Sequence, residues 1–374
     1  MTSQLSRRSL LQTSGLALAT TVLARSARAL PGEEDAGVLR LNLNENAFGP
    51  SPSVAAAIQA ELRHIYRYAD AHAADAFREQ IAAYEHVPVE QVVLGEILGA
   101  LGLYLGSLGG PGGEFVYSTP GYLALVDAAS RVGGVGVPVP LDKTYGNDLP
   151  ALAARVTPKT RALYLINPHN PTGVVSDDDV FKGFLRKVSH HAPVIVDEAY
   201  LEYVKDFEHR SAVSLVRDGA NVLVFRTFDK IYGLAGLPIG YSMVPRGIAD
   251  ALRKQGVGDP ESLGRLNIAA ASAALRDRAH VQQVRDAVSA ERQAWHGVLD
   301  NLRLPHTHSV ASFVFFNAGQ PQPTIAAAFR SRGTEVGRAF PPYDDWVRIT
   351  IGRPEQNQVV QQQLREILRA SNHI

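Results

Sequence analysis

Three polar residues follow three apolar segments of this chain, and their spacing constrains the fold more than any other feature. Asn170, Asp197 and Lys230 are separated by 27 and 33 positions, and each comes just after a short run of Val, Leu and Ile. Such runs are typical of strands buried on both faces, and each interval is about one βα unit. We therefore expect parallel strands that deliver an amide, a carboxylate and an amine to one edge of a sheet, where ligands bind in such folds.

These three groups match the needs of a pyridoxal phosphate (PLP) site. A lysine amine forms a Schiff base with the cofactor aldehyde. A carboxylate beside the pyridine nitrogen keeps it protonated, and an amide or a phenol can hydrogen-bond the ring 3-oxygen. Each residue alone has an ordinary explanation as a turn, a helix cap or a solvated lysine, but their order and spacing favour the cofactor site.

Longer motifs extend this pattern over the chain. They run in order from about residue 40 to the C-terminus and comprise LNLNENAFGP (41–50), YRYAD (66–70), NPTG (170–173), DEAY (197–200), RTFDKIYGLAG (226–236) and VRITIG (347–352). With these motifs the chain resembles the fold-type I PLP aminotransferases of class I/II, most closely the histidinol-phosphate aminotransferase-like branch. The resemblance implies an α/β fold with a seven-stranded, mostly parallel sheet and a smaller, discontinuous α+β domain.

The resemblance also implies roles for residues around the cofactor ring. Lys230 is expected to form the Schiff base and to carry the proton, and Asp197 to pair with the pyridine nitrogen. Asn170 and Tyr200 are expected to hydrogen-bond the 3-oxygen, and Tyr122 to stack on the ring.

Further roles concern the substrate, the cofactor phosphate and a second subunit. Arg348 is expected to grip the substrate α-carboxylate, since a guanidinium suits a bidentate clamp, and Asn46 of the N-terminal arm to contact the substrate. Gly95 is expected to contribute to the cofactor site. Tyr68 is expected to reach the cofactor of a neighbouring subunit, which implies a homodimer with shared sites.

The phosphate end of the expected site departs from this family in three places. The loop before the first helix of the large domain has no serine or threonine and is shortened around Gly95. Asp229 replaces the serine that usually precedes the lysine, and Pro238 replaces an arginine that usually follows it. Each charge-assisted bond to a phosphate contributes about 1.5–3 kcal/mol. Either other groups hold the phosphate here, or the chain has lost the cofactor; the intact ring motifs favour a working enzyme.

The N-terminus has the pattern of an export signal. Arg7 and Arg8 precede an apolar run from Leu10 to Leu23, and Ala29 ends an Ala-Arg-Ala motif. Paired arginines point to twin-arginine export, with cleavage after Ala29 and a periplasmic or secreted product. The alternatives are an amphipathic helix or a membrane anchor, although the run is short for a spanning helix.

The organisation of the chain follows from these motifs. We expect the signal peptide at 1–29, the arm with part of the small domain at 30–65, the large domain at 66–275, and a connecting helix with the rest of the small domain at 276–374. Helices are expected from residue 53, over 74–84 and from about 276 to 302. Strand candidates are 114–118, 134–139, 162–166, 193–196 and 222–225.

Composition excludes several function classes. The 37 basic and 37 acidic side chains balance, which gives no indication of nucleic-acid binding. The chain has no cysteine, so disulfides and thiolate metal sites are excluded, and no histidine spacing suggests a metal site.

We therefore predict a PLP-dependent transaminase that acts on an amino acid and a 2-oxo acid. Two alternatives stay open. One is an amino-acid decarboxylase or oxidase on the same scaffold, and the other is an exported, non-catalytic binding protein.

Overall fold

The computed structural model describes residues 37–371, and its residues from Leu39 onward form one compact unit. The strands are β1 (Leu39–Leu41), β2 (Val92–Leu94), β3 (Glu114–Thr119), β4 (Val135–Pro140), β5 (Thr160–Ile166), β6 (Val194–Asp197), β7 (Val222–Thr227), β8 (Gly240–Met243), β9 (Phe313–Asn317), β10 (Thr334–Val336) and β11 (Trp346–Thr350). The helices are α1 (Pro52–Glu61), α2 (Ala71–Glu85), α3 (Leu98–Ser107), α4 (Ala124–Ser130), α5 (Leu149–Ala154), α6 (Asp178–Ser189), α7 (Phe207–Arg210), α8 (Val213–Arg217), α9 (Arg246–Arg253), α10 (Arg265–Arg276), α11 (Arg278–Asn301), α12 (Gln322–Arg330) and α13 (Pro354–Ser371).

The central sheet has seven strands in the order β2-β8-β7-β6-β5-β3-β4. In this order, the five neighbouring strands β7, β6, β5, β3 and β4 are all parallel to one another. Strand β8 is antiparallel to both β7 and β2. Ile166, Asp197 and Phe225 are register partners across β5, β6 and β7. The three strands therefore end at one edge of the sheet, as their spacing in the sequence predicts, and the α/β class is confirmed.

All five strand candidates correspond to strands of this sheet, within two residues at each end. The helices expected from residue 53 and over 74–84 correspond to α1 and α2, and the one expected from about 276 to α11. Asp277 separates α10 from α11, because its side chain accepts a hydrogen bond from the His280 N–H and so caps the second helix. The predicted signal segment at 1–29 and the start of the arm at 30–36 lie outside the described residues.

Two small sheets complete the fold. Strand β1 of the N-terminal arm pairs in parallel with β10, and β9 pairs with β11 in antiparallel register. The arm is thereby tied to the C-terminal part of the chain. Within residues 37–371, no helix is both long and apolar enough to cross a membrane.

A buried charge cluster lies next to the strand ends. Arg226 of β7 is 1% exposed and contacts Glu198 at 3.1 Å, Glu202 at 3.3 Å and Glu85 at 3.6 Å. Burial opposes its charge, but the three carboxylates together raise the pKa of Arg226 well above its ordinary value. Ser211 and the Ala212 N–H donate further bonds to Glu198, so this carboxylate has partners on both of its oxygens.

Replacing this guanidinium should cost far more stability than replacing a surface one. We expect Arg226→Met to lower the free energy of unfolding by about 3–5 kcal/mol, because it leaves buried carboxylates without their counter-ion. Arg186→Ala is the matched control, since its pair with Asp218 is more than half exposed on both sides and should contribute less than about 1 kcal/mol. Urea unfolding of both variants measures the difference; equal losses would contradict the cluster's structural role.

Candidate active site

The described part of the chain has a cavity of about 850 Å³ at the carboxyl ends of the central strands. Lys230, Asp197, Asn170 and Tyr200 all line it, and so does Tyr122. The structure therefore brings together the five residues that the sequence assigns to the cofactor ring. Arg348, which the resemblance assigns to the substrate, lines the same cavity.

Asp197 is the buried carboxylate of this cavity. It is the last residue of β6 and is 3% exposed; its Oδ2 accepts from the Tyr164 hydroxyl at 3.0 Å and its Oδ1 from the Ala199 N–H at 3.0 Å. Burial raises the pKa of Asp197 to about 6, while these two donors and Lys230 act in the opposite direction. A protonated ring nitrogen would supply a further positive partner for this buried carboxylate.

Tyr200 and Asn170 form a polar group with the N-terminal arm. The Tyr200 hydroxyl accepts from the Asn44 side chain at 3.0 Å and from Asn170 Nδ2 at 3.5 Å. The Tyr200 ring packs edge-on against the Phe313 ring, with 5.2 Å between the ring centroids, and this contact fixes its orientation. Amide and phenol groups are thus oriented together, as hydrogen bonding to a ring oxygen requires.

The loop that carries Asn170 depends on a glycine. Gly173 has a φ of +71°, and a Cβ there would lie 1.9 Å from Ser309 Oγ. Thr307 Oγ1 also donates to the Thr172 carbonyl at 2.6 Å. Only glycine therefore permits this close approach, which sets the position of the Asn170 side chain.

Arg348 is a buried cation whose hydrogen bonds, among the residues that the structure describes, go to neutral groups only. It lies on β11, is 7% exposed, and donates to Asn170 Oδ1 at 2.6 Å and to the Asn42 carbonyl at 2.8 Å. Burial lowers the pKa of Arg348 to about 10, and its buried Nε has no hydrogen-bond partner within residues 37–371. Such a group is suited to receive a carboxylate.

Two acidic side chains of the cavity interact electrostatically with Lys230. Asp229 and Glu96 both line the cavity, and Thr227 links them: its hydroxyl donates to Glu96 Oε1 at 3.0 Å and accepts from the Asp229 N–H at 3.1 Å. Desolvation, followed by the charge of Asp229, raises the pKa of Glu96 to about 7. Glu96 as a residue is exposed to solvent, and its Oε1 lies against Gly240, where an added Cβ would come within 2.7 Å of it.

The remaining predicted site residues lie elsewhere. The Gly95 N–H donates to the Gly240 carbonyl at 2.8 Å, and the Asn46 amide donates to the Ile231 and Gly49 carbonyls. Neither residue is among those lining the cavity. Tyr68 is 77% exposed on the surface of its own subunit.

Several residues around the cavity have no counterpart among the sequence predictions. Tyr164 and Asn44 act through hydrogen bonds to the predicted residues Asp197 and Tyr200, and Thr227 through one to Glu96. Asn44 and Thr227 stand within motifs of the sequence, but no role is predicted for them. Glu96 lies in the loop before α3, which lacks the serine or threonine expected from the family. The position of Glu96 near Asp229 depends on the pairing of strand β2 with strand β8. Among residues 37–371, no cluster of metal-ligand side chains is present.

The cavity fits the ring of PLP better than it fits the phosphate. Around the ring there are a lysine, a buried carboxylate, an amide and a phenol. Glu96 and Asp229 also line the cavity, and carboxylates repel a phosphate, which takes positive or neutral donors.

Comparisons with known proteins agree with the cofactor chemistry. The family model described as aminotransferase class I and II matches residues 36–364. A histidinol-phosphate aminotransferase of Moorella thermoacetica is 36% identical, with 88% of this chain and 86% of that protein aligned. An aromatic amino acid aminotransferase of Thermobifida fusca is 37% identical, with 85% of this chain and 87% of that protein aligned.

A solved structure extends the comparison to three dimensions. The histidinol-phosphate aminotransferase of Sinorhizobium meliloti, in complex with pyridoxal-5'-phosphate, superposes with a TM-score of 0.81 at 27% identity. The match covers 89% of this chain and 91% of that one.

Proposed function

This chain belongs to the aminotransferase class I and II family as a PLP-dependent transaminase, and we propose that it moves an amino group between an α-amino acid and a 2-oxo acid with Lys230 as its catalytic residue. The observation that carries the proposal is the single cavity shared by Lys230, Asp197 and Arg348. It combines an amine, a carboxylate for a pyridine nitrogen and a receptor for a substrate carboxylate.

Each residue has a distinct task in this reaction. When bound, PLP supplies an electron-accepting ring that stabilises negative charge at the substrate Cα. Asp197 holds a proton on the ring nitrogen, Tyr164 orients Asp197, and Arg348 binds the substrate carboxylate. Lys230 would take the proton from the substrate Cα and hold it for return to the substrate-cofactor adduct, as a general base and acid.

The alternatives receive less support. Both curated relatives cited above carry aminotransferase names, which favours transamination over decarboxylation or oxidation. A non-catalytic binding protein would have no need of Lys230 inside a cavity with Asp197 and Arg348.

A spectroscopic experiment tests this function. The purified chain mixed with PLP should develop the visible absorbance band of lysine-bound cofactor, and an amino donor should convert that band. Lys230→Ala should abolish the band and lower turnover by about 10²–10⁴-fold, the usual share of a general base. The matched control is Lys205→Ala, because Lys205 is exposed and does not line the cavity.

Donors should include aromatic amino acids and histidinol phosphate, the substrates named for the two relatives. A band that persists in Lys230→Ala would contradict the assignment of the lysine. A band that no amino donor or acceptor converts would contradict transamination.

We also propose that the active enzyme is a homodimer with shared sites. Ile65, Tyr66 and Tyr68 are 61%, 75% and 77% exposed, so three large apolar or aromatic side chains stand close together on the surface. A second copy of the chain would cover them and bring Tyr68 to the partner's cavity.

Mixing two inactive variants tests this arrangement. Lys230→Ala subunits keep Tyr68, and Tyr68→Ala subunits keep Lys230, so a mixed dimer has one site with both residues intact. Random exchange should restore about one quarter of wild-type activity, because half of the dimers are mixed and each has one working site. Lack of recovery after demonstrated subunit exchange would show that Tyr68 acts within its own subunit or not at all.

Finally, we propose that the protein is exported by the twin-arginine route and works in the periplasm or outside the cell. The support is the Arg7-Arg8 pair, the apolar run after it and the motif that ends at Ala29.

Cell fractionation tests the export route. The wild-type protein should appear outside the cytoplasm with an N-terminus at Leu30, and the double variant Arg7→Lys, Arg8→Lys should stay inside. The control is the double variant Arg25→Lys, Arg28→Lys, which leaves the arginine pair intact. Export of both double variants would contradict the route.

A further inference from the structure

Three histidines pack together outside the cavity described above. His296 lies on α11, and His306 and His308 lie on the segment that joins α11 to β9. The His296 ring stacks on the His306 ring with 5.2 Å between centroids. The His308 ring meets both of them edge-on, at 6.5 Å from His296 and 5.9 Å from His306. These three residues, here called the histidine cluster, do not line the cavity.

The cluster can take up protons at its ring nitrogens. His296 Nε2 is buried and has no hydrogen-bond partner within residues 37–371. His306 Nδ1 lies 3.1 Å from the Leu304 carbonyl, so it carries the hydrogen of the neutral ring and leaves Nε2 without one. That Nε2 lies 3.9 Å from a carboxylate oxygen of Asp300. Because His308 is exposed, protons reach the cluster from solvent.

The segment that carries two of these histidines also holds the loop of Asn170. Thr307 stands between the two histidines, and its Oγ1 donates to the Thr172 carbonyl at 2.6 Å. Further along, the Val310 N–H donates to the Gly173 carbonyl at 2.9 Å. The position of this loop therefore depends on a segment whose side chains belong to the histidine cluster.

Asn170 connects this support to the cavity. Its Oδ1 accepts from Arg348 at 2.6 Å, and its Nδ2 donates to the Tyr200 hydroxyl at 3.5 Å. A displacement of the loop would change both contacts. It would therefore change the placement of the guanidinium that is proposed to bind the substrate carboxylate.

We propose that the histidine cluster is a proton-sensitive support for the loop of Asn170. While the rings are neutral they pack together, and Thr307 holds Thr172 in place. A proton taken from solvent adds positive charge among the packed rings and near Arg292, so the segment loosens and Asn170 loses its fixed position. The inference rests on the proposed function only for the role of Arg348. The three histidines and Thr307 are positioning residues, since none of them lines the cavity.

The charges around His296 agree with this geometry. Arg292 and Asp300 lie about one helical turn before and after it on α11. Burial, followed by the neighbouring His306, lowers the pKa of His296 to about 4. Arg292 and His308 act in the same direction, and Asp300 acts against them. A form with a solvated His296 ring binds a proton more readily, so opening becomes easier as the pH falls from about 6.5 towards 4.

The loop itself contributes one more histidine. His169 is fully buried, its Nδ1 lies 3.5 Å from Thr172 Oγ1, and its Nε2 has no partner in the part of the chain that the structure describes. Burial lowers the pKa of His169 to about 3. Opening of the loop would let this ring take up a proton as well, so it needs a variant of its own. From β9, the apolar Phe316 forms a bridge with His306.

Amide hydrogen exchange measures the support directly. The Val310 N–H reports on the bond to Gly173, and its protection in the purified chain is followed by NMR from pH 7.5 to pH 4.5, with the intrinsic pH dependence of exchange removed. Protection should fall by about fivefold or more between pH 7 and pH 5, because opening is linked to proton uptake by His296. Protection that stays constant over this range would overturn the proposal.

Variants locate the effect. His296→Phe keeps an aromatic ring but cannot take up a proton, so it should remove most of the pH dependence. Thr307→Val loses the bond to Thr172 and should lower protection at every pH. The matched control is His191→Phe, since His191 is exposed after α6; it should keep the wild-type profile, as should His169→Asn. If His169→Asn removes the pH dependence and His296→Phe keeps it, the proposal is wrong.

Kinetics relate the support to the substrate. Between pH 7 and pH 5, KM for the amino donor should rise about fivefold more in the wild type than in His296→Phe, the lower end of the usual coupling between sites, with a smaller change in kcat. Equal KM profiles would refute the connection to Arg348. If PLP produces no visible band, the proposed function fails, while the exchange measurements still decide whether the histidine cluster supports the loop.

Discussion

The fold around the active site depends on one buried guanidinium. Arg226 gathers Glu198, Glu202 and Glu85 inside the protein, and a lone carboxylate at such depth would cost several kcal/mol. Glu198 directly follows Asp197, and Arg226 stands four residues before Lys230. This buried charge cluster therefore fixes the ends of β6 and β7, which deliver Asp197 and Lys230 to one edge of the sheet.

The same cavity is lined by groups of opposite charge. Arg348 of β11 is buried, and among the described residues its hydrogen bonds go to the neutral Asn170 and Asn42. Glu96, from the loop before α3, and Asp229 line the cavity as well. Under the proposed function, the substrate carboxylate would bind Arg348 and the cofactor ring would lie beside Asp197, Asn170 and Tyr200.

Sequence patterns predict most of the parallel sheet, because strands buried on both faces are uninterrupted runs of Val, Leu and Ile. They also predict which residues meet at its edge, since parallel strands in register end together. The antiparallel strand β8 and its partner β2 are short, and their pairing joins positions far apart in the chain. Local periodicity does not reveal such a pair. The contacts of Glu96 with Thr227 and of Tyr164 with Asp197 are likewise products of strand order.

By itself, the sequence determined the fold class and the family, and it identified five residues that the structure brings into one cavity, because those depend on residue type and on spacing along βα units. It also showed that Asp229 and Pro238 replace a serine and an arginine at the phosphate end. Only the tertiary structure decided what stands there instead. Strand β8 pairs with both β2 and β7 and so brings Glu96 to the Thr227 hydroxyl, and a carboxylate brought by a distant strand leaves no trace in the local sequence.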